Sequence, residues 1–69
     1  MSISENRVAV KVDASVFGKR IGDSVEKGEL LGNFAGDDIE APFNGIIEHV
    51  SFDSEDHALV IVLVGNASI

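Results

Sequence analysis

Sixty-nine residues make one domain and leave no room for two. Twelve acidic side chains against five basic ones give a net charge of −7, yet 45% of the residues are apolar, which excludes a disordered acidic tail and argues against a nucleic-acid partner. With no cysteine, a disulfide scaffold and a thiolate zinc module are excluded as well.

Residues 1–7 are mostly polar and are expected to form a solvated arm. They contain no apolar stretch of signal-peptide length. The longest apolar run, Ala58 to Val64, is far short of the ~20 residues of a membrane helix. The expected setting is therefore cytoplasmic, with no membrane partner. Val8-Ala9-Val10-Lys11-Val12 places a valine at every second position, the pattern of a strand. Asp13-Ala14-Ser15 forms a turn. Val16-Phe17 opens a second extended stretch that is interrupted at Gly18 and runs to Ile21.

Gly22-Asp23-Ser24 and Lys27-Gly28-Glu29 are turn-rich, with Val25 as a lone apolar anchor between them. Leu30, Leu31 and Phe34 mark the next apolar stretch. Ala35-Gly36-Asp37-Asp38 is a turn signal. Ile39-Glu40-Ala41 is brief and extended, and Pro42 biases Ala41 away from helical geometry. Phe43-Asn44-Gly45 ends in a dipeptide favoured in tight reversals. Ile46 to Val50 is a strand, and Ser51 to His57 a polar, acidic loop. Ala58 to Val64 has no polar member and has the length of a strand buried on both faces. Residues 65–69 form a tail, so the folded domain is expected to span 8–64.

Glycine recurs from Gly18 to Gly45, leaving no room for three helical turns. Short strands with frequent turns predict an all-β barrel or sandwich. A shift that pairs Val16-Phe17 with Ile46-Ile47 also pairs Asp23-Ser24 with Asp53-Ser54, Gly28 with Ala58, and Leu30-Leu31 with Val60-Ile61. This faint repeat is expected to give two similar β units around one core.

The segment Gly22-Asp23-Ser24-Val25-Glu26-Lys27-Gly28-Glu29-Leu30-Leu31-Gly32, followed by Ala41-Pro42-Phe43-Asn44-Gly45, resembles the biotinyl/lipoyl-carrier domain family, including the glycine-cleavage H protein. The resemblance covers the middle third closely. It implies a flattened β barrel of two quasi-symmetric halves, a barrel-sandwich hybrid, with Gly22, Asp23, Gly28, Pro42 and Gly45 as its structural turns. Family members that are carriers hold a modifiable lysine at a hairpin tip between the two segments. That position falls at Phe34, and no lysine occurs from Asn33 to Asn44. The segment from Gly28 to Pro42 is also shorter than in carriers. Losing about two residues per strand retracts the tip by ~7 Å. A cofactor arm therefore lacks its attachment atom, and no cofactor is expected.

The histidines are His49 and His57. Asp53, Glu55, Asp56 and His57 lack the spacing of a calcium loop, and a solvated acidic loop accounts for them. No Gly-x-Ser-x-Gly elbow or phosphate loop occurs, so no catalytic, metal or cofactor-binding residue is expected and the chain is not expected to be an enzyme. Phe34, Asp37 and Asp38 are candidate partner contacts, with Phe34 at a hairpin tip ringed by carboxylates. The alternative is that Phe34 packs over the barrel end while the acids solvate the turn. The expected function is a binding or scaffold module acting on a protein partner or within a parent multidomain assembly. A degenerate or unusual carrier modified on Lys11, Lys19 or Lys27 stays open as the second reading, and part of an envelope membrane-fusion adaptor as the third.

Overall fold

The computed structural model describes residues 6–15 and 17–65. The chain is all-β, without a helix among those residues. The strands are β1 (Arg7–Asp13), β2 (Ser24–Val25), β3 (Leu30–Phe34), β4 (Asp37–Glu40), β5 (Gly45–Asp53) and β6 (Ala58–Gly65). One antiparallel four-stranded sheet has the order β1-β6-β5-β2, and β3 with β4 makes a separate two-stranded hairpin. The expected arm at 1–7 and the tail at 65–69 fall mostly outside the described residues, as does Val16. Arg7 opens β1 and Gly65 closes β6, where the Gly65 amide donates to the Asn6 carbonyl at 2.6 Å.

β6 is the centre of the sheet, paired along its length with β1 on one side and β5 on the other. Paired residues in antiparallel strands share a face. Val8, Val10 and Val12 therefore stand with Leu63, Ile61 and Leu59, and Ile47 and Val50 complete the same face from β5. Ile47, Ile61, Leu63 and Val12 are fully buried there, together with Val25, Leu31 and Ala41. Each buried valine, leucine or isoleucine among them contributes about 1.5–3 kcal/mol.

The expectation that β6 is buried on both faces is corrected by the structure. Val60, Val62 and Val64 are only half-buried on the opposite face. An antiparallel sheet commonly packs one face on the core and leaves the other towards water. Two ion pairs reach across this face from strand to strand. Arg7 of β1 grips Glu48 of β5, with Nε on Oε1 and Nη2 on Oε2, both at 2.9 Å. Lys11 Nζ lies 3.0 Å from Asp53 Oδ2. Long side chains of this kind cover apolar surface with their stems while their charged ends stay wet.

Other boundaries differ for identifiable reasons. Residues 17–21 form no strand. Ser51-Phe52-Asp53 continue β5 instead of joining a loop, because Phe52 pairs with Leu59 and Asp53 with Ala58. Asp37 and Asp38 belong to β4, because Ala35 and Gly36 alone make the reversal with φ of 55° and 88°. Two central residues at positive φ form the hairpin turn whose twist matches its strands. Gly45 lies buried against Gly65, and a Cβ on Gly45 would run into the Val64 carbonyl. The residues paired by the sequence repeat occupy different places: Leu30-Leu31 lie in the two-stranded hairpin, Val60-Ile61 in the centre of the large sheet.

Candidate functional site

The middle segment folds as a set of reversals that aim the β3–β4 hairpin. The Gly22 amide donates to the Ile47 carbonyl at 2.8 Å, and the Ile47 amide to the Asp23 carbonyl at 2.9 Å. The Asp23 carboxylate accepts from the Arg20 amide at 2.9 Å and the Asp23 amide donates to the Arg20 carbonyl at 3.0 Å, so Asp23 closes the turn that begins at Arg20. Gly28 donates to the Ala41 carbonyl at 2.8 Å, and Ala41 to Glu29 at 2.9 Å. Asn44 Oδ1 accepts from the Lys27 amide at 2.8 Å. Pro42 and Phe43 lie between these anchors, with Phe43 packed against the core. These bonds fix both ends of the segment from Gly28 to Gly45.

Pairing along the hairpin sets its two faces. Phe34 opposes Asp37 and Gly32 opposes Ile39, while Asn33 opposes Asp38 and Leu30 opposes Glu40. The structure therefore brings Phe34 and Asp37 together and turns Asp38 to the other face. Ile39 packs on the core, so its face is the inner one. The outer face carries Leu30, Asn33, Asp38 and Glu40, all exposed. Leu30 is 59% exposed. Phe34 is half-buried, and Lys11 Nζ stands 5.8 Å from the centroid of its ring.

Lys11 is the meeting point of three elements. Its ammonium pairs with Asp53 of β5 and with Asp56 of the following turn, and faces the Phe34 ring. The hydrogen bonds to Asp56 and Asp53 push the Lys11 pKa up, and the one from Lys11 holds the Asp53 carboxyl below its ordinary value. Sequence reading missed this group. Its signal was the alternation of Arg7 and Lys11 with the valines of β1, which puts both cations on the face opposite the core.

Of the other lysines, Lys19 Nζ pairs with Glu29 Oε2 at 2.9 Å and Lys27 is exposed in the turn before Gly28. His57, at φ 52°, stands edge-on to Phe52 with ring centroids 5.6 Å apart. His49 is exposed on β5. Among the described residues no three His, Asp or Glu side chains converge on a metal position, no pocket is enclosed, and no helix is long and apolar enough to cross a membrane. Compared with protein-family models, curated proteins and solved structures, the chain finds no match.

Proposed function

We propose that this domain is a non-catalytic binding or scaffold module of barrel-sandwich type that acts through protein–protein contacts and carries no covalent cofactor. The observation that carries the reading is the β3–β4 hairpin. Its base is closed by backbone bonds, it carries Phe34 where the resemblance puts a carrier's lysine, and its outer face offers Leu30 beside Asp38 and Glu40. An exposed apolar side chain among carboxylates suits a protein surface with a matching apolar contact and basic rim. The finer fold class is supported by the paired reversals at Gly22-Asp23 and at Gly28. The first prolongs the β2–β5 pairing at Ile47, and the second prolongs the β3–β4 pairing at Ala41.

The test compares the wild-type domain with a Leu30→Lys/Asp38→Lys variant as bait in an extract of the native host. The expected result is one protein retained by the wild type and lost by the variant, with direct binding confirmed on the purified pair. Intact-mass measurement of the domain purified from the host decides the rival. A biotin or lipoate adduct on Lys11, Lys19 or Lys27 overturns the proposal.

A further inference from the structure

We infer that the domain pairs with a second copy of itself through the outer edge of β5, from Glu48 to Asp53. The Gly65–Asn6 hydrogen bond sets the phase of β6: Leu59, Ile61, Leu63 and Gly65 bond towards β1, and Ala58, Val60, Val62 and Val64 towards β5. On β5, His49, Ser51 and Asp53 consequently bond inward to β6. Ile47 bonds to the Gly22-Asp23 turn beside β2. Past the irregularity between Ile47 and His49, Val50 and Phe52 direct their amides and carbonyls away from the sheet.

β2 covers only Gly45 and Ile46 of this side. Beyond Ile47, among the described residues, no strand lies there and no backbone hydrogen bond from a loop reaches it. Natural edges are blunted by charged side chains, lysine above all, and by proline. The outer edge of the hairpin follows that rule with Asp37, Asp38 and Glu40. The Glu48–Asp53 edge has no lysine or proline, its two carboxylates are tied back across the sheet by Arg7 and Lys11, and its Phe52 is 56% exposed.

The sequence of this edge complements itself in one antiparallel register, centred on Ser51. Val50 then meets Phe52 of the second copy in a hydrogen-bonded pair, and the same pair recurs across the two-fold axis. Ser51 meets Ser51, and His49 meets Asp53, again twice. An aromatic facing a β-branched residue, hydroxyl facing hydroxyl, and a basic ring facing a carboxylate are each favourable cross-strand pairs. Sliding the strands by one pair either way sets Glu48 against Phe52 or Phe52 against itself and separates His49 from Asp53. A two-fold contact closes after two copies, so the product is a dimer, not a fibre. Its small area makes it weak and dependent on concentration. The hairpin proposed as the partner surface takes no part.

The chain lacks cysteine, so Ser51→Cys introduces a single thiol. At the dimer axis its Cα lies about 4.5 Å from its mate, within disulfide range. Incubated with oxidised glutathione, this variant is expected to become a covalent dimer much faster than Ser24→Cys, an exposed control on β2. In sedimentation equilibrium the wild type is expected to show a monomer–dimer equilibrium. His49→Glu, which sets like charges against Asp53, is expected to weaken it about tenfold. Equal cross-linking of the two cysteine variants, or a wild-type monomer at every concentration up to the millimolar range, overturns the inference.

Discussion

Lys11 and Asp53 meet at 3.0 Å although they belong to strands that are not neighbours, so their bond spans the central strand β6. The Lys11 hydrogen bond holds the Asp53 carboxyl below its ordinary range. Glu48, Glu29 and Asp13 are lowered in the same direction, first by Arg7, Lys19 and the Ser15 hydroxyl respectively. A carboxyl depressed in the folded state stabilises above its unfolded pKa, about 4, and loses that contribution as pH falls through the folded value. The melting temperature of the wild type is therefore expected to exceed that of Asp53→Asn at neutral pH, and the two curves to converge below about pH 4. Parallel curves from pH 7 to pH 2 exclude a contribution from this pair.

Ala35 holds φ at 55° in the first central position of the β3–β4 turn. A residue with a Cβ costs roughly 1–2 kcal/mol in that region, whereas Asn and Gly occupy it readily. Ala35→Asn is expected to stabilise by about 1 kcal/mol, which raises the melting temperature of a domain this size by roughly 4–8 °C. Ala35→Val is expected to move it the other way.

The alternating valines of β1, the β-branched stretch at Ile46–Val50 and the apolar run of β6 were all legible, because each is a local pattern of period two or an uninterrupted apolar segment. What escaped was pairing. Whether Val60, Val62 and Val64 are covered depends on what lies above them, and two arginine or lysine stems from β1 are invisible in the β6 sequence. Ser51 to Asp53 looked like a loop because their polarity suited one, yet Leu59 and Ala58 offered partners across a short turn. The lysine-free hairpin was readable from spacing. Its division into an inner face with Phe34 and Asp37 and an outer face with Asp38 was not, since it depends on the irregularity between Leu30 and Gly32.

Gly45 leaves no room for a side chain. A Cβ there would overlap the Val64 carbonyl, which is backbone and cannot rotate away. Gly45→Ala is expected to cost more than about 3 kcal/mol, enough to leave much of a marginally stable domain unfolded. Ile47→Val, two residues on in the same strand, removes one buried methyl and is expected to cost about 0.5–1.5 kcal/mol with the fold kept. Urea unfolding followed by circular dichroism measures both. Similar midpoints for the two variants are incompatible with the close approach at Gly45.

Phe34 decides between a packing role and a free contact at the hairpin. It is half-buried on the inner face, and the Lys11 ammonium stands 5.8 Å from its ring centroid. A fully buried Phe→Ala change costs about 3–5 kcal/mol, so a half-buried ring implies about 2 kcal/mol for Phe34→Ala and a fall in melting temperature of roughly 10 °C. Phe34→Leu keeps most of the apolar volume and removes the ring face that attracts the cation. Its effect is expected to be smaller, and its combination with Lys11→Met is expected to cost less than the two single changes added together. An unchanged melting temperature in Phe34→Ala, with a partner lost from the extract, assigns the ring to the contact surface instead. That result moves the interaction site from the outer face at Leu30, Asp38 and Glu40 to the inner face at Phe34 and Asp37.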